Sequence, residues 1–359
     1  MNRDLDRAGR ADALQDALEE QFGAPWPQFL HNKVPFQDGD DEVFNYWWLA
    51  HVVDARLDAY ERSGDPLRLD QATQAYRNVL ERNGSLFNDY FDDMLWLGLA
   101  ALRLAGLSGE ERYARDATAI WEHVVEFGWN DQLGPSLAWR KPQLDYKNTP
   151  ANGPLAILSA RLAEHGDPRT LAYAGKALDW LEATLVGPDG FVEDGINRTG
   201  DGTVDRQWRF TYNQGLYIGA CLAWAQATGT EDRLEQALRT ARTAVRHLTA
   251  DGVFHEPVGE GGGDVGLFKG VLYRYATLLV ERTGDAGLRD FLVASTDVLW
   301  RDGLGEDLLA GDDWSRPWPG SSNYSTQLSA LMATESAARL AAGPGRSTPP
   351  PPAGSAVPA

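Results

Sequence analysis

Apolar residues recur along most of this chain at the three- and four-residue spacing of an α-helix, and the alternation typical of strands is scarce. Small turns, in which a glycine is followed shortly by Asp, Ser or Thr, interrupt the pattern. Glycine favours the left-handed residue that ends one helix, and Asp, Ser or Thr caps the next. We therefore predict twelve helices, over residues 11–22, 43–63, 66–82, 92–105, 109–127, 150–165, 168–185, 212–228, 231–249, 265–283, 286–301 and 323–341.

The predicted helices alternate in character along the chain. Odd-numbered helices carry many charges, as in residues 231–249, whereas even-numbered helices are apolar on nearly every side, as in 212–228. A helix that is apolar all round must be buried on all sides. Six exposed helices around six buried ones describe an all-α fold, an (α/α)6 barrel of six helical hairpins over residues 10–342. We expect residues 1–9 to form an N-terminal extension and the Pro- and Ala-rich residues 343–359 to be a disordered tail.

The starts of the even-numbered helices carry the candidate chemistry. Short turns join each even helix to the next odd one, so the longer loops and the N-termini of the inner helices meet at the opposite end of the barrel. Nearly all six starts pair an aromatic residue with an amide or an acid. They are residues 44–48, 91–93, 148–153, 210–215, 264–270 and 322–324. Aromatic rings stack on the C–H faces of sugars and polar groups bind sugar hydroxyls, so this end is typical of a carbohydrate cleft.

Asp92 and Asp93 stand side by side where the fourth helix begins. Such a pair can simply cap the helix and interact with its dipole. Over a sugar cleft, the same pair supplies the two carboxyl groups that glycoside cleavage needs, and their adjacency favours retention. A helix N-terminus favours one ionised carboxylate, whose charge raises the pKa of its neighbour and keeps that neighbour protonated. The residues alone do not decide which Asp takes which role.

Composition narrows the possible partners. The formal net charge of −19 disfavours nucleic acid and anionic membranes and fits a neutral substrate. The 13 Trp residues favour sugar stacking, although any one of them can equally fill the core. Cys221 is the only cysteine, so we expect neither an intrachain disulfide nor a cysteine zinc site. Asp194, Asp201 and Asp205 lack the spacing of a calcium loop, and we expect no metal or cofactor.

The sequence also predicts where the protein lies. No apolar segment is long enough to span a membrane, and residues 1–7 lack the apolar core of a signal peptide. As written, the chain is expected to be cytoplasmic; a trimmed secreted protein would look the same. We expect a monomer that binds a carbohydrate.

Several motifs, taken in order, resemble glycoside hydrolase family 76. They are Asp92-Asp93, Trp139, residues 146–153, residues 211–215, and residues 267–270 with Arg274. Each motif is weak alone, but the combination is specific and covers roughly residues 10–340. The resemblance implies an (α/α)6 barrel and an endo-acting α-1,6-mannanase with a retaining mechanism. It also implies that Asp92 is the nucleophile and Asp93 the acid/base.

Seven further residues are candidates for binding the substrate. Five of them fall on motif positions of the resembled family: Asn152, Tyr212, Asn213, Phe268 and Lys269. Trp139 belongs to the same motifs, and Asn45 lies at the start of the second helix. Asn152, like Asn148, could instead cap a helix, and Lys269 could bind sugar hydroxyls or pair with Asp264. Three other large side chains are expected to fill the core or the barrel wall: Trp47, Trp48 and Trp96.

Three alternatives remain open at this point. Residues 89–93 superficially resemble the magnesium–diphosphate motif of terpenoid synthases, but a second acid cluster and the basic residues of such a site are missing. A sugar epimerase of the same barrel class would use histidine as acid and base, and only His51 and His255 lie near the predicted cleft. A carbohydrate-binding barrel without activity would need the aromatic residues but not two adjacent acids.

Overall fold

The computed structural model describes residues 5–257 and 263–343. Within them each predicted helix has one observed counterpart. The helices are α1 (Arg7–Phe22), α2 (Tyr46–Ser63), α3 (Pro66–Asn83), α4 (Phe91–Ser108), α5 (Glu111–Gly128), α6 (Thr149–Glu164), α7 (Arg169–Thr184), α8 (Thr211–Thr228), α9 (Leu234–His247), α10 (Val265–Thr283), α11 (Ala286–Val298) and α12 (Tyr324–Ala342). A π-helical turn, Leu299–Gly303, follows α11. The predicted tail lies outside the described residues from 344 onward.

The even-numbered helices form a closed inner ring. Each packs against the next even-numbered helix, and α12 packs against α2 to close the ring. Each odd-numbered helix from α3 onward packs on the outside against its hairpin partner, and α1 packs mainly against α12. The apolar faces of the inner helices are buried on both sides, as the pattern of hydrophobic residues predicted. The predicted (α/α)6 barrel is confirmed.

Glycines end most inner helices in the predicted left-handed conformation. Gly64, Gly229 and Gly284 have φ angles of 71°, 72° and 72° and follow α2, α8 and α10. The predicted end of α4 at residue 105 was wrong, because the helix continues through Gly106 to Ser108. Its C-cap is Gly109, whose φ is 74°. Gly106 has helical neighbours and open space around it, so nothing there stops the helix.

Short strands, which the sequence pattern did not reveal, organise the long loops. They are β1 (Lys33–Val34), β2 (Trp129–Asn130), β3 (Ser136–Arg140), β4 (Gln143–Asn148), β5 (Gly195–Ile196), β6 (Thr249–Ala250), β7 (Val253–Phe254) and β8 (Ser322–Asn323). Strands β2 to β5 form one antiparallel sheet in that order. Strand β1 pairs with β8, which ties the first long loop to the last. The sheets therefore fix the loops at the end where the inner helices begin.

The N-terminal residues join the barrel earlier than predicted. Helix α1 begins at Arg7 rather than at residue 11, and Asp6 caps it by accepting a hydrogen bond from the N–H of Gly9. The guanidinium groups of Arg7 and Arg10 bind the carboxylate of Asp297 at 2.8–3.0 Å. None of the described helices has the length and hydropathy needed to cross a membrane.

A cavity of about 1710 Å³ lies at the short-turn end of the barrel. Arg103 and Arg274 line it, and both bind the carboxylates of Asp54 and Asp58. At 1.5 Å per residue, Arg103 lies about 15 Å along α4 from Asp93. This cavity is therefore distinct from the site of Asp92 and Asp93, which lies at the opposite end of the barrel. Arg274, which belongs to the resembled motif, lies at the short-turn end, away from the two acids.

Candidate active site

Asp92 lies in the first turn of α4 with both carboxylate oxygens engaged. Tyr90 occupies the N-cap position in an extended conformation, and its side chain caps nothing. The Oδ1 of Asp92 accepts a hydrogen bond from the N–H of Asp93 at 3.0 Å, and its Oδ2 accepts one from the indole Nε1 of Trp139 at 3.0 Å. The first contact satisfies an N–H of the first helical turn, although Asp92 is not the N-cap residue that the simpler interpretation predicted. The second contact ties Asp92 to strand β3.

Among residues 5–257 and 263–343, Asp93 has a single side-chain donor. Its Oδ2 accepts a hydrogen bond from the Nδ2 of Asn88 at 3.0 Å. Asn88 is itself held in place, because its Oδ1 accepts from the N–H of Tyr90 at 2.8 Å. The sequence analysis did not select Asn88, although an amide five residues before an acid at a helix start is a usable signal. Asp89, the acid that precedes the pair in the sequence, is exposed.

The environment separates the two carboxyl groups electrostatically. Burial raises the pKa of Asp92, while the N–H of Asp93 and the indole of Trp139 lower it. Burial also raises the pKa of Asp93, and the charge of Asp92 raises it further, well above the usual range. The carboxylate of Asp264 raises both. Both pKa values are thus raised, that of Asp92 to about 7, and the anion of Asp92 has two donors where that of Asp93 has Asn88.

Asp264 adds a third acid near the pair and is held by two tryptophans. Its Oδ1 accepts hydrogen bonds from the Nε1 of Trp47 at 2.9 Å and from that of Trp48 at 2.7 Å. Trp48 and Trp96 are buried, as expected for wall or core, whereas Trp47 is only partly buried. The rings of Trp96 and Phe268 both lie about 6 Å from the Trp47 ring. These residues form an aromatic surface next to three carboxylates.

Three predicted binding residues meet where α8 and α10 begin. The rings of Tyr212 and Phe268 stack in parallel with centroids 3.7 Å apart. The hydroxyl of Tyr212 and the Nδ2 of Asn213 donate to the same oxygen, Oδ1 of Asp194, at 3.2 and 3.0 Å. Burial and the charge of Asp194 raise the pKa of Tyr212, so the hydroxyl stays protonated. Trp139, the fourth predicted residue near the acids, contacts Asp92 directly.

The other three predicted binding residues, Asn45, Asn152 and Lys269, form hydrogen bonds within the protein. The amide of Asn152 is fully buried and bonds both the N–H and the C=O of Leu137, which pins strand β3 to α6. Asn148 caps α6 by accepting from the N–H of Ala151 at 3.1 Å, as the alternative predicted. Asn45 donates its Nδ2 to Asn32 at 2.9 Å.

Lys269 points beneath the starts of α8 and α10 and is 1% exposed. Its Nζ donates to the carbonyl of Asp312 at 2.6 Å, and burial lowers its pKa. Pairing with Asp264, one of the two roles expected for Lys269, is not seen among the described residues, where Oδ1 of Asp264 binds the two tryptophans instead. Instead Lys269 lies near Glu256, whose carboxyl accepts from the N–H and the hydroxyl of Thr211. Burial raises the pKa of Glu256 to about 7.

The acids of the α7–α8 loop surround an arginine. The guanidinium of Arg198 binds both Asp194 and Asp205, so a protein cation already occupies the position between them. Asp201 is exposed and accepts from Thr203. In the described part of the chain, no three His, Cys, Asp or Glu side chains are grouped as a metal ion would require.

The two histidines of the epimerase alternative do not contact the acid pair. His51 is 2% exposed beneath the ring of Trp96, with ring centroids 4.7 Å apart, and burial lowers its pKa to about 3. His255 lies in the loop after β7, where its Nε2 is 3.2 Å from the carbonyl of Ala250. The structure therefore gives no histidine pair for proton transfer beside Asp92 and Asp93.

Comparison with known proteins identifies a matching family and solved structures with a similar fold. The model of glycosyl hydrolase family 76 matches residues 21–346. The Lin0763 protein of Listeria innocua superposes with a TM-score of 0.91 at 43% identity, covering 94% of this chain and 98% of its own. An inactive variant of the α-1,6-mannanase GH76A of Salegentibacter sp. HEL1_6, solved with α-1,6-mannotriose, superposes with a TM-score of 0.87 at 35% identity, covering 93% and 100%.

Curated relatives are more distant. The mannan endo-1,6-α-mannosidase DCW1 of Candida albicans is 24% identical over 326 residues, which are 80% of this chain and 71% of that protein. The matches to curated relatives span between 34% and 72% of those proteins' own lengths. Several of them are thus matched over less than two thirds of their length.

Proposed function

The chain belongs to glycosyl hydrolase family 76, and from this we propose that it hydrolyses the α-1,6-linked backbone of mannan with retention of configuration. The observation that carries the proposal is the pair Asp92 and Asp93 at the start of α4, each held by a different donor. The mannotriose complex of the Salegentibacter relative supports the choice of substrate. The resemblance described above points to the same reaction.

In this proposal Asp92 is the nucleophile. Its carboxylate attacks the anomeric carbon, and the bond from that carbon to the leaving oxygen breaks as the glycosyl–Asp92 ester forms. Asp93 gives its proton to the leaving oxygen. In the second step Asp93 takes a proton from water, and the water oxygen displaces Asp92 from the anomeric carbon. The unequal environments of the two carboxyl groups support this order of roles.

Retention fits the closeness of the two acids. Retaining enzymes hold the two carboxyl groups about 5–5.5 Å apart, whereas inverting enzymes leave about 6.5–9.5 Å for a water molecule. Adjacent residues in one helical turn, joined by the hydrogen bond from the N–H of Asp93 to Asp92, favour the shorter separation. We propose that cleavage is internal to the mannan chain and that the barrel acts as a monomer.

The substrate side of the proposal uses the aromatic residues. Trp47 and Trp139 are only partly buried and offer apolar surface for the C–H faces of mannose. Tyr212 and Phe268 are 9% and 6% exposed and stack on each other beside them. Acid and amide groups beside them bind hydroxyls. The net charge of −19 suits a neutral polysaccharide.

Linear α-1,6-mannan incubated with the protein and with two variants tests the proposal. We expect the wild type to release oligosaccharides, and Asp92→Asn and Asp93→Asn to lose at least about a hundredfold in rate, because each removes a reacting group. Asp89→Asn is the matched control, since this neighbouring acid is exposed and should keep full activity. A wild type that releases nothing, or variants at Asp92 and Asp93 that equal it, would overturn the proposal.

A further inference from the structure

Asp194 is a buried carboxylate that the proposed reaction does not use. It lies immediately before β5 and is 2% exposed. Its backbone is fixed to the start of α6, because the N–H of Thr149 donates to the carbonyl of Asp194 at 2.8 Å and the Thr149 hydroxyl donates to the preceding carbonyl of Glu193. The position of the carboxylate is therefore set by the barrel and not by a free loop.

Four donors from three parts of the chain surround this carboxylate. Oδ1 accepts from the hydroxyl of Tyr212 and the amide of Asn213, both on α8. Oδ2 accepts from the hydroxyl of Tyr146 on β4 at 3.0 Å and from the guanidinium of Arg198 in the loop beyond β5. An amide in place of Asp194 would direct its N–H₂ at one of these two pairs, where the tyrosine hydroxyl can accept but the guanidinium of Arg198 or the Nδ2 of Asn213 cannot.

Of these donors, Tyr146 is connected to the acid pair through Trp139, and Tyr212 contacts Phe268 beside it. The Tyr146 ring packs edge-on against Trp139, with centroids 5.6 Å apart and an interplanar angle of 89°. Trp139 in turn donates its indole N–H to Asp92. On the other side, Tyr212 stacks on Phe268. The carboxylate of Asp194 thus binds both Tyr146, which packs against Trp139, and Tyr212, which stacks on Phe268.

We propose that Asp194 is a positioning residue, which fixes Tyr146 and Tyr212 and, through Tyr146, keeps the Trp139 indole N–H directed at Asp92. Its importance for catalysis rests on the proposed function, whereas the link to Asp92 can be measured without activity. Nothing in the reaction requires Asp194 to touch the substrate or to exchange a proton.

The charges around both acids decide what the loss of Asp194 would do. Asp92 faces Asp93 on its own helix, Asp264 before α10, the hydroxyl of Tyr212 on α8, and the neutral donor Trp139 from β3. Asp194 faces Arg198 and Asp205 in its own loop and three neutral donors from β4 and α8. Because Arg198 offsets the charge of Asp194, replacing this acid acts on Asp92 mainly through the placement of Trp139.

Kinetics of Asp194→Asn on linear α-1,6-mannan provide the first test. We expect kcat to fall by about tenfold to a hundredfold, as for a small misplacement of a reacting group, with KM changed by less than about threefold. Asp201→Asn is the control, because it removes an exposed acid of the same loop whose carboxylate binds Thr203 rather than Arg198 or Tyr146. It should keep kcat within about threefold. An Asp201→Asn loss as large as that of Asp194→Asn would refute the assignment.

A double-mutant cycle tests the path through Tyr146. Tyr146→Phe keeps the ring against Trp139 and removes the hydroxyl that binds Asp194. We expect this variant to reproduce most of the Asp194→Asn loss, and the double variant to lose little more than either one alone. Fully additive losses would show that Asp194 does not act through Tyr146.

An NMR titration separates this inference from the proposed function. The indole ¹H–¹⁵N signal of Trp139, assigned with Trp139→Phe, should titrate with Asp92. Its midpoint should rise by about one pH unit in Asp194→Asn and in Tyr146→Phe but not in Asp201→Asn. An unchanged midpoint in the folded variants would overturn the inference. A shifted midpoint in a protein that does not cleave mannan would uphold the positioning role and reject the proposed function.

Discussion

The indole of Trp139 offers the clearest test of how Asp92 is kept ionised. Its Nε1 donates to Oδ2 of Asp92 at 3.0 Å, and its ring packs edge-on against Tyr90 and Tyr146, with centroids 5.4 and 5.6 Å away. Trp139→Phe removes the donor but keeps an aromatic ring between those neighbours. The change therefore acts mainly on the ionised form of Asp92.

The size of the effect follows from the charge on the acceptor. A hydrogen bond to an ionised group is worth about 1.5–3 kcal/mol. One pKa unit corresponds to about 1.4 kcal/mol, so losing this donor should raise the pKa of Asp92 by about 1–2 units. A nucleophile must be ionised to attack. Raising its pKa therefore removes activity from the low-pH side and moves the acidic limb of the kcat/KM profile upward by the same amount.

The pH dependence of kcat/KM on linear α-1,6-mannan measures this shift directly. Trp300→Phe is the matched control, since Trp300 is 4% exposed and its Nε1 has no hydrogen-bond partner within the described residues. That variant should keep the wild-type limb. An unshifted acidic limb in Trp139→Phe, or a downward shift, would refute the assignment of Asp92 as the group stabilised by Trp139.

Two further predictions concern Asn88 and the packing of the inner ring. Asn88→Ala removes the donor that lowers the pKa of Asp93, so this acid should stay protonated to higher pH. The basic limb of the kcat/KM profile should then move upward by about one pH unit. A basic limb that does not move would contradict the role given to this hydrogen bond. Gly215→Ala should lower the free energy of unfolding in urea by about 1–3 kcal/mol, because its Cβ would lie 2.7 Å from the Cα of Leu272. Gly106→Ala, a helical position with open space around it, should instead stabilise the protein by about 0.5–1 kcal/mol, and equal effects of the two changes would refute this packing argument.

The barrel could be predicted because its signals are local. The alternation of charged and apolar helices fixes which ones are inside, and glycines such as Gly229 mark the tight turns between them. Family 76 membership and the glycoside hydrolase class were likewise predicted and confirmed, since the motifs occur in order along the chain. The error at Gly106 shows the limit of this reasoning, because a glycine permits a helix end without requiring one.

The contacts within the candidate site could not be predicted in the same way. Trp139 reaches Asp92 across 47 residues, and only the sheet of β3 and β4 brings it there. Lys269 and Asn152 follow motif positions, but sequence does not show that their side chains turn inward to Asp312 and Leu137. Asp194 was noticed as a loop acid, and its four donors come from residues up to 48 positions away. Roles in substrate binding for these residues therefore stay predictions, and the experiments above test that of Trp139.

The central claim is that Asp92 and Asp93 cleave α-1,6-mannan by double displacement. Proton NMR of the reaction on linear α-1,6-mannan reports the anomer that forms first, before mutarotation mixes the two. Two displacements at the anomeric carbon restore its configuration, so the account predicts that α-anomeric reducing ends appear first. If β-anomeric ends appear first, a single displacement by water has occurred, and Asp92 is not the nucleophile.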